Sequence, residues 1–238
     1  MPSTGTPPAT RIRSGTSRWE AGHLTVDSEA PERASVLPFK IKPAQKSGEV
    51  DLAGEQHLVA VDGGYLVGFD AGEFGGGAWW FSGDGTRRRK LTLRAAESLG
   101  DYFPENVHGF AFFGQDVLAF EGLTHMGSNL GRVVRIHRGL DGEWQPSVFT
   151  EISACPHAAV QESTSSWLLA TTSGVWRIDT RARVHPIWQP AGGHLYYPNS
   201  IARDGSGVVY MGMRKFILRM TPRNAGDYAV QVLAPPSQ

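Results

Sequence analysis

Apolar residues along this chain fall in short runs, each closed within a few positions by glycine, aspartate or proline. The runs come in sets. Gln56-His57-Leu58-Val59, Val107-His108-Gly109-Phe110, Pro156-His157-Ala158-Ala159 and Pro198-Asn199-Ser200-Ile201 each open a set. A second β-like run follows at 66–69, 118–121, 169–172 and 209–212, and a third begins at Trp79, Val134, Trp176 and Leu218. The third runs start 55, 42 and 42 residues apart, so the first set carries an insertion. A fourth run lies at 89–93, 145–149, 184–188 and 229–233, with Pro146 and Pro186 inside two of them. Proline lacks a ladder donor and belongs on an edge, so the fourth run is the outermost strand of its set. A helical period is confined to 91–99, where one short helix is expected.

Four-stranded units repeating at about 40–45 residues are the signature of a β-propeller. The reading is an all-β propeller with four complete blades over 55–235. A fifth, degraded blade is drawn from 17–42, where Gly22-His23-Leu24-Thr25-Val26 and Ser35-Val36-Leu37-Pro38-Phe39-Lys40-Ile41 look strand-like. Five blades close a ring more readily than four. Residues 1–16 then form a polar linker, and 17–238 a single domain.

Composition narrows the function classes. The 23 basic and 23 acidic residues cancel, so no field exists to gather nucleic acid or an anionic membrane. Arg87-Arg88-Arg89-Lys90 is the local exception and falls on an outer strand, where it reads as a solvated face. No apolar run is long enough for a membrane-spanning helix. Cys155 is the sole cysteine, which excludes an internal disulfide. The opening residues do not form a secretory leader, so the expected compartment is the cytoplasm, or the periplasm if a leader has been removed.

Antiparallel blades sort residues by face. The starts of first strands, the ends of second strands and the starts of third strands all share one end of the propeller. His57, His108, His157 and Asn199 then ring the channel mouth. Asp70, Glu73, Glu121, His125, Thr171 and Arg214 gather in the loops above it. Two of those loops, 69–77 and 121–129, are longer than a hairpin requires, and long loops in compact domains carry function disproportionately. Tyr196, Tyr197 and Trp144 lie near turns and offer aromatic anchors. Imidazoles with an amide suit a divalent metal, but no HxH, HExxH or CxxC spacing marks such a site. There is no Gly-x-Ser-x-Gly elbow, and Cys155 is expected to be buried or incidental.

The stretch Tyr197-Pro198-Asn199-Ser200-Ile201-Ala202-Arg203-Asp204-Gly205-Ser206-Gly207-Val208-Val209-Tyr210 resembles the "PNGIA…DG…LY" phrase of gluconolactonase/senescence-marker and NHL-type propellers. In the lactonases the asparagine of that phrase ligates an axial divalent metal, and Asn199 matches it. The chain departs from them at Met211-Gly212-Met213-Arg214, where that family places an acidic residue. Residues 68–81 are similar to a segment of bacterial propeller-like proteins without an established activity. The expectation is a monomeric, non-enzymatic bacterial protein that binds or inhibits a protein partner, an immunity-type role being one form of this. No cofactor is required by that reading. The alternative is a lactonase-like hydrolase with a divalent metal held by His57, His108, His157 and Asn199.

Overall fold

The computed structural model describes residues 17–20, 23–26, 37–41, 52–93, 105–193, 198–214, 216–223 and 227–233. It is an all-β, propeller-type fold built from four four-stranded antiparallel sheets. The first blade comprises β3 (Glu55–Val61), β4 (Gly64–Asp70), β5 (Gly76–Ser82) and β6 (Arg88–Lys90). The second comprises β7 (Val107–Phe113), β8 (Asp116–His125), β9 (Ser128–Arg138) and β10 (Trp144–Ile152). In the third are β11 (Pro156–Ser163), β12 (Ser166–Thr171), β13 (Gly174–Asp179) and β14 (Val184–Trp188). The fourth holds β15 (Pro198–Arg203), β16 (Val209–Met213), β17 (Ile217–Pro222) and β18 (Tyr228–Leu233). Strands follow one another across each sheet in chain order. The first strands neighbour one another, β3 against β7, β7 against β11, and β11 against β15, which makes them the inner strands.

The second strands explain the packing. Successive side chains of a strand point to opposite faces, so a strand between two neighbours must be apolar on both. On β8, Val117 and Ala119 join Leu66, Ala78 and Ile136 in the layer between the first and second blades. The alternate residues, Leu118 and Phe120, join Trp167, Leu169 and Ile178 in the layer between the second and third. On β12, Leu168 and Ala170 turn the other way, toward Val209, Met211 and Leu218 of the fourth blade. All of these residues are buried. Trp144, expected as a possible anchor, is a core residue at the first interblade layer, with the Arg138 guanidinium 4.6 Å above its ring.

Pro146 and Pro186 lie on β10 and β14, the outermost strands, as an edge requires. In the span expected for a fifth blade the structure describes a two-stranded hairpin, β1 (Ser17–Glu20) and β2 (His23–Val26). The expected strand around 35–41 is not formed over 37–41. Instead, Leu37, Phe39 and Ile41 pack as irregular chain onto Val67, Phe69, Trp79 and Phe81 of the first blade. They cover the face that a neighbouring blade would cover. The expected helix over 91–99 is also absent where it is described. Leu91 and Leu93 are non-helical plugs in the first interblade layer, and 94–99 lie outside the described residues.

Candidate functional site

Two projections rise at the end of the blades where first strands begin. After β4 the chain makes one 3₁₀ turn, Gly72–Phe74, before entering β5. Asp70 organises it: its Oδ1 accepts from the Gly72 amide at 2.9 Å. The buried Asn106 fastens it from the second blade by donating from Nδ2 to the Gly72 carbonyl at 2.8 Å. The second expected loop, 121–129, is not a loop. It continues β8 and β9 as a ladder to the pair His125 and Ser128, closed by Met126 and Gly127 alone. Both turn residues have positive φ, 46° and 87°, which matches the two-residue turn whose twist suits a hairpin.

The two projections touch. His125 Nε2 lies 2.5 Å from Glu73 Oε2, and both side chains are partly exposed. Phe74 is 72% exposed beside this contact and Met126 is 92% exposed at the hairpin tip. The result is a lip with two apolar points and the Glu73–His125 contact between them.

Below the lip is a relay that was not expected as a unit. Asp70 Oδ2 stands 3.0 Å from His108 Nδ1. The other nitrogen, His108 Nε2, is 3.1 Å from the Gly122 carbonyl and 3.4 Å from Cys155 Sγ. The His157 ring lies 5.2 Å from that of His108, centroid to centroid. Burial pulls the His108 pKa down, but the Asp70 carboxylate and the Cys155 sulfur outweigh it and raise it to about 10. Burial opposes a thiolate at Cys155, yet hydrogen bonding to His108 and His157 lowers its pKa to about 6. Asp70 is likewise lowered, since its own burial is outweighed by bonds from His108 and the Gly72 amide. These shifts all favour a carboxylate, an imidazolium and a thiolate side by side. His57, held low by burial, borders the group through the fields of His108 and Asp70.

The remaining expected site residues are not members of this relay. Glu121 does not face the lip: its carboxylate is buried against Arg132, with Oε2 2.7 Å from Nε. The strand continues past it, which places it inside the second blade. Burial pushes its carboxyl above the usual range, the Arg132 guanidinium pulling the other way. Asn199 is exposed on β15, with its Oδ1 accepting from Ser200 Oγ at 2.9 Å. Arg214 is an exposed residue just after β16, and Thr171 is buried, donating to the Gly174 carbonyl at 3.0 Å. Tyr196 and Tyr197 lie outside the described residues. Among the described residues, no group of three or more His, Cys, Asp or Glu side chains is arranged to hold a metal ion.

Cys155 and Asn129 are the residues that sequence reasoning passed over. Asn129 Oδ1 accepts from the Cys155 amide at 2.8 Å and from Thr172 Oγ1 at 2.5 Å, tying the β8–β9 hairpin to the third blade. The repeat itself carried a signal for Cys155. It precedes His157 by two positions, as the buried Asn106 precedes His108, so it occupies a blade-start position facing the same end.

No protein-family model and no curated protein matches this chain. Solved structures do. A virginiamycin B lyase from Staphylococcus aureus is 14% identical with a TM-score of 0.50, covering 77% of this chain and 56% of its own. A streptogramin B lyase is 11% identical with a TM-score of 0.50, over 79% of this chain and 57% of that one. A catalytically inactive variant of the Staphylococcus aureus lyase with quinupristin gives 14% and 0.52, over 80% and 58%. The chain spans a little over half the length of these proteins, and the likeness is one of propeller-type fold.

Proposed function

We propose that this chain is a protein-binding propeller that engages its partner through the lip formed by the Gly72–Phe74 turn and the tip of the β8–β9 hairpin. The observation that carries this reading is the placement of Phe74 and Met126, 72% and 92% exposed, on the two projections joined by Glu73 and His125. Exposed aromatic and methionine side chains beside polar groups are the composition of an interface centre, and flexible methionine adapts to an apolar pocket. Leu130, partly exposed on β9, extends the apolar surface. Asp70 and Asn106 hold the turn in place, so little ordering is left to the moment of binding. An inhibitory role is the form this takes when the lip enters the partner's working cleft.

Site-specific photocrosslinking tests the proposal. A photoreactive residue at position 126 captures a defined partner from native lysate, while one at Leu140, fully exposed at the β9–β10 turn, does not. Equal capture from both positions, or capture undiminished by Phe74→Ser, refutes the assignment of this surface.

A further inference from the structure

We propose that Cys155 is a built peroxide-reactive thiol, oxidised at sulfur to a sulfenic acid while His108 delivers the proton that the departing oxygen needs. The relay lies beneath the lip and shares Asp70 with it, but its chemistry does not rest on the lip's role in binding. A nucleophile, a group able to transfer its proton, and a third group orienting that one are lined up within hydrogen-bond reach. Asp70 fixes the imidazole through Nδ1, which aims Nε2 at the sulfur and the Gly122 carbonyl.

The chain also gives up side chains to seat the sulfur. A Cβ on Gly122 would stand 2.8 Å from Cys155 Sγ and 2.6 Å from the Leu130 carbonyl oxygen. One on Gly131, opposite Gly122 in the β8–β9 ladder, would stand 2.1 Å from the Ala154 oxygen. Two bare positions on adjacent strands thus admit the Ala154-Cys155-Pro156 turn against the relay.

The reaction balances without a further partner. The sulfur lone pair attacks one peroxide oxygen, the S–O bond forms and the O–O bond breaks. Sulfur is oxidised by two electrons and the peroxide is reduced; the leaving hydroxide takes the Nε2 proton and departs as water. His108 is left neutral against Asp70. Cys155 has no exposed surface, whereas the His108 and Asp70 side chains are 10% and 22% exposed, so approach is from the relay's side. That restricts the reactant to the smallest oxidants, of which hydrogen peroxide is the probe.

The experiment uses the full chain, folded in buffer and unfolded in guanidinium, with intact-mass readout after hydrogen peroxide. The expected product gains one oxygen, reverts with dithiothreitol and is missing from Cys155→Ser; methionine sulfoxide does not revert with dithiothreitol. Folded protein is expected to react about 100-fold faster than unfolded protein, the low end of what positioned proton transfer supplies. A bulky maleimide should show the reverse order, labelling the unfolded chain faster. Asp70→Asn and His108→Gln should each remove most of the peroxide advantage. Folded protein reacting no faster than unfolded, or a folded Asp70→Asn variant reacting as fast as the wild type, overturns the proposal. The folded-against-unfolded comparison needs no variant and stands even where a substitution prevents folding.

Discussion

Replacing Glu121 by alanine removes one half of an ion pair that has almost no contact with water. The two residues face one another across the β8–β9 ladder, and their side chains are 5% and 2% exposed. Their mutual attraction is set against the cost of dehydrating both, so the intact pair contributes little net stability. Removing one partner is another matter, since breaking a buried pair typically costs about 3–5 kcal/mol. For a chain of this length each kcal/mol lowers the melting temperature by roughly 2–4 °C, so Glu121→Ala should melt about 6–20 °C below wild type. Urea titration followed by tryptophan fluorescence gives the free energy, and far-ultraviolet dichroism confirms that the starting state is folded. The double variant Glu121→Leu/Arg132→Met, which replaces charge with apolar volume, should recover most of the loss. A cost under about 1 kcal/mol for the single variant, the value of a surface pair, refutes the reasoning, as does a double variant no better than the single.

Gly131→Ala forces a methyl within 2.1 Å of the Ala154 backbone oxygen and should cost about 1–3 kcal/mol in the same titration. Phe74→Ser combined with Met126→Ser should leave the unfolding free energy within about 0.5 kcal/mol of wild type, since both side chains are exposed, while partner capture is lost. The Cys155–His108 pair has a two-sided pH signature. Between about 6.5 and 9 the folded pair holds one proton on imidazole and the unfolded pair one on sulfur, so stability is level there. As pH falls from 6.5 to about 6 the unfolded chain binds the extra proton and stability declines; as pH rises from 9 to about 10 the unfolded chain has lost its proton first, and stability declines again. Midpoints measured across this range, less those of Cys155→Ser, should trace that plateau; a steady slope through it contradicts the paired charges. Asp84, lowered to about 2 by its bonds from Ser82 and Thr86, steadies the β5–β6 turn at pH above 3.8 and releases it as pH falls toward 2. Faster amide exchange at Thr86 and Arg87 over that interval is the expected sign.

The blades were legible because burial on both faces leaves a strong mark. Runs such as Val117-Leu118-Ala119-Phe120 cannot sit at a surface, and Pro146 and Pro186 could only be edges. What lay beyond legibility depended on partners distant in sequence. Leu37 and Phe39 look strand-like because they are apolar, yet they serve as a cover on the first blade, and apolarity alone does not distinguish the two roles. Residues 121–129 looked like a loop because Thr124, His125, Ser128 and Asn129 are polar, although the ladder runs through to a two-residue turn. Glu121 was read as a surface carboxylate, since nothing local shows that Arg132 stands opposite it. At the site, the strand order of the blades brings the His108 and His157 rings close together. Their connection through Cys155 is not legible in the imidazoles themselves, because it depends on the residue two positions before His157.

Val117 and Leu118, adjacent in sequence, belong to different oily layers, and the same division runs along β12. No blade therefore owns the material that keeps it dry. Prising one sheet from the stack would wet two seams at once and take half of each with it, so the assembly should come apart cooperatively rather than leaf by leaf.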